Sequence, residues 1–430
     1  MPIMQNKLIR VIALAVLAYA PYGFSGDLAV DLFTEAEFSN NITRASSGRL
    51  SDVEQSSGLV VNYLEESRNI QADANFRLEA QNYYENTYED ELSLTTGFGV
   101  VSFNLVDDLL AWQTSYDRDE LLVGAGAEDT PDNREYRGVL RTGPRVEYRF
   151  SPSSTLGLRS SYVRAQNSGD FLSDSERTES ALDYIYQWNS ITALRFSSGY
   201  EDLFEIENDR TYKRYSADVG AVRQVSNGLL SVTLGRTYLK PKVGSGLSEN
   251  HIDIEYRRQD FLLHDLALSY SRNLSDSSVG APIADSPESV RVAREDSTLL
   301  REEFEFSLER DFGGSRYIVA PYWSSENYAN ATNAEERFGA SFRYDLEVNP
   351  FLLTGLMTSY EQTDFGKGTV SRRFGVDEIY TYELNARYGL SSRLMLSSAL
   401  RFEHQTNKYV LARKYDEISL SLGLNWQLFE

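Results

Sequence analysis

Cysteine is absent from the 430 residues. That excludes disulfide staples, thiolate catalysis and cysteine-based zinc sites. Histidine is almost absent too: His251, His264 and His404 are the only three. They form no H-x-x-x-H pair, so the compact zinc spacings are missing. Neither a G-x-S-x-G nucleophile elbow nor a phosphate-binding G-x-x-x-x-G-K-[ST] loop occurs. Positive charge is scarce, with 42 Lys and Arg against 64 Asp and Glu and a formal net charge of −22. A chain this acidic does not clamp nucleic acid, because binding there comes from neutralising phosphates. Only 10 prolines occur. After the N-terminus no apolar run reaches the roughly 18 residues a membrane helix needs.

What is present begins with an address. Lys7 and Arg10 precede the apolar run Val11-Ile12-Ala13-Leu14-Ala15-Val16-Leu17-Ala18. A basic segment followed by an apolar stretch of about ten residues is too short to span a bilayer and reads as a secretory signal peptide. Ala18-Tyr19-Ala20 has small residues at the cleavage spacing, but Pro21 hinders cleavage there, and Gly23-Phe24-Ser25 is the next option. The expectation is a signal peptide over 1–25 and a β-barrel over 26–430.

The barrel is read from alternation. In Ile70-Gln71-Ala72-Asp73-Ala74-Asn75-Phe76-Arg77-Leu78-Glu79-Ala80 every even position is apolar and every odd one polar. A strand puts those two sets on opposite faces. The pattern returns around Ile252–Arg257, Phe304–Glu309, Phe338–Glu347 and Ile418–Leu428. Tight turns are expected near Ser67, Asp107, Pro152, Asn189, Asn227, Gln259-Asp260, Gly313, Asn349 and Ser391. Longer polar loops are expected at 40–57, 117–134, 166–178, 273–297 and 362–377. Nine turns and about ten loops predict an all-β, antiparallel, up-and-down transmembrane barrel of about 20 strands, within a range of 16 to 20. Segment 59–65 is the weakest of these strands. A tilted strand of about 11 residues covers roughly 28 Å, which fits an apolar band near 25 Å. Trp112, Tyr116, Tyr148, Tyr186, Trp188 and Trp426 sit near strand ends, where aromatic girdles lie. Pro144 and Pro321 fall inside strand-like runs, so a bulge or strand end is expected at each.

If the apolar set faces lipid, the alternate set lines the lumen. It contains Asp73, Arg77, Asp218, Asp253, Glu255, Arg257, Glu303, Glu305, Arg343, Asp345, Glu383, Arg387, Arg401 and Glu403. Two readings stand side by side: a structural ladder of cross-strand charge pairs, and a hydrated passage favouring cations or neutral solutes. A 20-strand barrel is roughly 40 Å across at its backbone. Side chains alone do not fill that bore, so a folded-in loop such as 273–297 is expected to narrow it. The acidic runs 117–120 and 128–133 offer carboxylates that could take Ca²⁺, with solvated charge as the plainer reading. His404, beside Glu403, is the one histidine placed where a rim catalyst would sit. No catalytic residue, metal or cofactor is assigned.

The end of the chain, Gly423-Leu424-Asn425-Trp426-Gln427-Leu428-Phe429-Glu430, is similar to the closing strand by which barrel proteins address the barrel assembly machinery. Glu430 after Phe429 departs from that pattern. Early segments read Glu37-Phe38-Ser39-Asn40-Asn41-Ile42-Thr43-Arg44, Ala80-Gln81-Asn82-Tyr83-Tyr84 and Asn104-Leu105-Val106-Asp107-Asp108. Over 27–115 the chain resembles the outer-membrane β-barrel porin families, in particular the proteins associated with the exosortase/PEP-CTERM surface-protein and exopolysaccharide system. That resemblance implies the outer membrane of a Gram-negative cell, outer-membrane lipids and export-system components as partners, and no nucleic acid. The function expected is a passive porin or an exopolysaccharide or surface-polymer export channel. The alternatives are a non-conducting component of such a system, a barrel enzyme with a loop-borne site, and a soluble all-β sugar-binding protein.

Overall fold

The structure is a computed structural model. It describes residues 26–429 other than 124–128, 170–173, 207–210, 243–244, 277–291, 294–297, 329–333, 366–374 and 409–412. The segment read as a signal peptide lies outside the described residues.

The strands run β1 Asp27–Ser39, β2 Asp52–Glu66, β3 Ile70–Tyr83, β4 Glu91–Val106, β5 Leu110–Val123, β6 Arg134–Ser151 and β7 Ser154–Asn167. They continue with β8 Ser175–Asn189, β9 Thr192–Glu205, β10 Thr211–Val225, β11 Gly228–Pro241, β12 Leu247–Phe261, β13 His264–Asp276 and the short β14 Val292–Ala293. Last come β15 Thr298–Phe312, β16 Ser315–Tyr328, β17 Ala334–Asn349, β18 Leu352–Asp364, β19 Val376–Gly389, β20 Leu394–Asn407 and β21 Tyr415–Phe429. Leaving β14 aside, 20 strands pair antiparallel with their sequence neighbours, and β1 pairs β21 to close the ring. Closure gives each of these 20 strands a paired neighbour on both sides.

Side-chain placement is inside-out relative to a soluble protein. On β21, Leu420, Leu422 and Leu424 are 45%, 55% and 38% exposed, while the alternating Glu417 and Ser419 are 9% and 6% exposed. The same holds on β9, where Phe196 is exposed and Leu203 and Glu205 are buried at the opposite parity. Apolar residues cover the outer surface and polar ones the enclosed face. Two stacked sheets would have buried the apolar set instead, so the soluble sugar-binding alternative is overturned. Trp112, Tyr148, Tyr186, Trp188 and Trp426 are exposed near the tight-turn end. Neighbouring rings Tyr200–Tyr215–Tyr238 and Phe338–Tyr360–Tyr380, in contact and mostly tilted, lie toward the other end. The two belts are eight to ten residues apart, roughly 20–25 Å along a tilted strand.

Several expectations change in detail. Strands span 13 residues in β1 to 18 in β6, more than the 11 a bilayer needs. The surplus lies in hairpins whose backbone groups keep pairing beyond the apolar band. Thus β5 and β6 continue to Leu122↔Arg134, so that β5 takes in residues 117–123 of the loop expected at 117–134. The segment 59–65 belongs to a full 15-residue strand. Neither proline makes a bulge or a strand end. Pro144 pairs Trp112 on β5, and the β6–β7 ladder resumes after it in the same register. Pro321 pairs Ala340 on β17, and the β15–β16 ladder likewise resumes unshifted. Each ring costs only local contacts on the side its missing N–H would face. Gly143 helps: a Cβ there would fall 1.9 Å from Ser160 O, so only glycine lets β7 approach.

The tight turns follow backbone chemistry. Gly313-Gly314, both at positive φ, join Phe312 to Ser315 as a primed two-residue turn that matches strand twist. The turn expected at Gln259-Asp260 sits at Leu262-Leu263 instead, after an irregularity between Arg258 and Phe261. Both leucines are left-handed, with φ of 53° and 70°, and both are exposed. Strand register, not turn propensity, decides the position.

The described parts of 273–297 touch two distant stretches of wall. Leu274 packs with Leu203, Tyr212 and Leu239 in a buried apolar cluster on β9–β11. β14 pairs in parallel with Leu122–Val123 of β5, eight strands from β13 around the ring.

Candidate functional site: the enclosed wall and its long-loop rim

Period-two alternation delivers charged side chains to the enclosed face on nearly every strand. The 14 residues expected there all occupy the parity opposite to the exposed apolar set. Most are used in local pairs. Arg77 meets Glu79 at 2.7 Å and lays its guanidinium over Phe33, 3.8 Å from the ring centroid. Asp218 meets His251 Nδ1 at 2.7 Å, and Arg343 meets Asp345 at 2.9 Å. Glu255 pairs with Arg257, Glu303 with Arg301, and Arg401 with Glu403. Glu305 accepts from Ser269 and Glu383 from Asn385. Asp253 feels His251 and Glu255 through space. Asp73 and Arg387 make no hydrogen bond or ion pair with a described residue.

A larger array escaped the sequence reading. Arg141 reaches Glu179 at 3.2 Å, Arg177 reaches Glu201 at 2.9 Å, and Arg214 also meets Glu201. This chain of alternating charge crosses β6, β8, β9 and β10. Its signal was legible: Arg177, Glu179 and Asp183 alternate with Leu182, Tyr184 and Tyr186. Lower on the same sector Arg145 and Arg159 are direct Cα partners. Arg145 has Glu147 at 3.1 Å, whereas Arg159 makes no bond with a described residue. The wall beside Arg159 carries Ala181, Gly199 and Ser216, side chains too small to fill the bore. Elsewhere carboxylates dominate. On β1–β3, Glu35, Glu37, Glu54, Asp73 and Glu79 share the enclosed face with Arg77 as the one guanidinium.

At the long-loop end the charges condense into a buried cluster. Arg44, in the β1–β2 connection, contacts Asp129 at 3.3 Å, Glu403 at 3.5 Å and Glu417 at 3.0 Å. Arg134 holds Asp129 at 2.7 Å and Glu120 at 3.0 Å. Tyr415 donates to Glu403, and Ser39 donates to Glu417 at 2.6 Å. Arg44 is held at a φ of 51°, an unfavourable conformation for a side chain of its size. The neighbouring Asn41 fixes it, donating from Nδ2 to Ala45 O and Asp416 O and accepting Ala45 N–H. Burial pushes the Asp129 carboxyl up, but Arg134 and Arg44 outweigh it and hold it below the ordinary range. Asp377 is engaged similarly by Arg413 and Asn407. These contacts join the seam strands β21 and β1 to the tip of the β5–β6 hairpin.

In the acidic runs 117–120 and 128–133, Glu120 and Asp129 are turned to Arg134 rather than to one another, and Glu128 lies outside the described residues. Among the described residues no group of three or more His, Asp or Glu could hold a metal ion. His404 and Glu403 face opposite ways. His404 Nδ1 bonds Asp416 at 2.5 Å on the outer surface, and Asp416 also takes Arg49 at 2.9 Å. Glu403 points inward, to Tyr415 and Arg401. They form no shared site.

By sequence the chain matches no protein-family model and no curated protein. By structure it is similar to the siderophore receptor PirA from Acinetobacter baumannii, with a TM-score of 0.54 and 8% identity over 94% of this chain and 81% of that one. It is also similar to the FrpB iron transporter from Neisseria meningitidis in its apoprotein form, with a TM-score of 0.52 and 11% identity over 94% and 82%. OmpT with loop L8 deleted, an outer membrane protein of Vibrio cholerae, matches over 94% and 99% at a TM-score of 0.37 and 10% identity. The likeness to PirA and FrpB shows the fold alone: a closed antiparallel barrel of the kind found among outer-membrane proteins.

Proposed function

We propose that the chain is a passive channel of a Gram-negative outer membrane, admitting hydrated cations and neutral solutes in preference to anions. One observation carries this reading. An outer surface of exposed apolar side chains encloses a wall on which carboxylates outnumber guanidinium groups. The first property matches a hydrocarbon surround, and the second sets the sign of the field along the bore. The long loops would lie outside the cell and the tight turns in the periplasm, with β21 as the strand read by the assembly machinery. Unpaired charge at Asp73, Arg387 and Arg159 leaves polar groups available to solutes.

A finer reading rests on the resemblance to the exosortase/PEP-CTERM-associated proteins: the solute is a surface polysaccharide, and export-system components are partners. The small side chains Ala181, Gly199 and Ser216 near Arg159 leave room along the wall for a chain-like neutral solute. Reconstitution in planar bilayers tests both readings. Stepwise conductance is expected, with a reversal potential in a KCl gradient of the sign for cation preference. Persistently silent membranes, together with co-purifying export partners, would instead favour a non-conducting structural component. Blocking by neutral polysaccharide fragments, but not by small sugars, would support the finer reading.

A further inference from the structure

The outer surface is not uniformly charged above the upper aromatic belt. On β9–β12 one row reads Tyr200, Tyr215, Tyr238 and Ser248, each the Cα partner of the next. The row above it reads Asp202, Lys213 and Lys240. Lys213 and Lys240 are direct cross-strand partners, and both are exposed. Like charges directly opposite destabilise an antiparallel pair. Asp202 offsets Lys213 at 3.3 Å, whereas Lys240 makes no bond with a described residue. Arg236 starts one outward position below Tyr238, beside the apolar band. Its Nε donates to Ser248 Oγ at 2.7 Å, so the side chain climbs to the tyrosine row as a snorkelling arginine does. The far sector is richer in carboxylates, although Asp416 there is bridged to Arg49 and His404. Beside and above Phe338, Tyr360 and Tyr380, the outward positions carry Glu336, Asp364, Glu378 and Asp416.

We infer that Arg236, Lys213 and Lys240 form a docking site for the phosphate of an anionic lipid in the leaflet around the long-loop end. Three features specify this occupant. The cations lie at the aromatic belt and immediately above it, where headgroups begin. They face away from the lumen, so no solute in the bore reaches them. A surplus of positive charge on the surface of a chain with net charge −22 is complementary to phosphate and opposed by the rest of the molecule. A lipid phosphate there takes N–H donors from Arg236 and Lys240 and relieves the Lys213–Lys240 repulsion. The inference rests on the membrane reading of the outer surface and is independent of whether the bore conducts.

The test is native mass spectrometry of the full chain, released from detergent micelles doped with equal amounts of phosphatidylglycerol and phosphatidylcholine. The wild-type barrel should retain phosphatidylglycerol in clear excess. Arg236→Gln with Lys240→Gln should remove most of that excess, about fivefold for each charge. Asp202→Asn should increase it by freeing Lys213, and Glu378→Gln on the far sector should leave it unchanged. Added salt should reduce it. Equal retention of both lipids by the wild type overturns the site, as does an undiminished excess in the double variant whose circular dichroism still reports a folded barrel. Absence of adducts of either lipid overturns the membrane reading and the site with it, whereas a silent planar bilayer bears only on conduction.

Discussion

The same chemistry, arginine against carboxylate, occurs in two places with different physical consequences. At the long-loop rim the pairs are buried: Arg44 and Glu403 expose 14% and 5% of their side chains, and Arg413 and Asp377 expose 10% and 5%. Midway down the bore they are wet: Arg195 and Asp183 expose 54% and 29%, and Arg145 and Glu147 expose 57% and 45%. Removing one member of a buried pair strands the other without water, while a hydrated pair is worth little. The rim charges hold the barrel's seam and loops together. The midwall charges contribute little to stability; under the proposed function they are the groups a solute would meet.

The largest break in that comparison is Arg44→Ala. It leaves Glu403, Glu417 and Asp129 facing one another and should cost about 3–5 kcal/mol, read as a shift in urea unfolding of the vesicle-inserted barrel. Introducing alanine at Gly143 comes next, because the new Cβ meets the Ser160 carbonyl at 1.9 Å. A loss of about 1–3 kcal/mol is expected in the same assay. At the opposite rim, replacing Leu262-Leu263 with Asn-Gly should stabilise by about 1 kcal/mol, since two left-handed leucines give way to residues that adopt that conformation readily. Arg195→Ala should change stability by at most about 1 kcal/mol while shifting the reversal potential further toward cations. An unchanged potential with a large loss of stability would erase the distinction between rim and midwall.

Acid sharpens the distinction in another way. Because the folded Asp129 carboxyl titrates below its ordinary value of 3.8, its contribution is complete above that pH. It is lost as pH falls through the lower folded value. Protease nicking of the β5–β6 hairpin should therefore stay flat from neutral pH to about 4 and rise below it. Asp129→Asn should be nicked at all pH values.

The sequence exposed the barrel because period-two alternation is local: each strand declares its two faces by itself, as in Ile70–Ala80. The nine tight turns were equally legible, apart from the shift to Leu262-Leu263, where the register of the flanking ladder overrode turn propensity. The enclosed-face residues could be named from parity, but not their pairings. Arg177 finds Glu201 on the adjacent strand, a contact set by register. Extension of β5 through the loop-like acidic run 117–120 was hidden for a related reason. Paired strands tolerate polar residues on both faces once they leave the hydrocarbon.

The amino-acid order alone therefore determined the class of fold, the strand count and which side chains turn inward, since these follow from properties that repeat every two residues. Only closure of the ring decided that Arg44, Asp129, Glu403 and Glu417 meet in one buried cluster. Hairpin register, in β10–β11 and β11–β12, set the patch of Arg236, Lys213 and Lys240. Those groupings depend on stagger between strands and on the seam of β1 with β21, and no stretch of chain carries that information within itself.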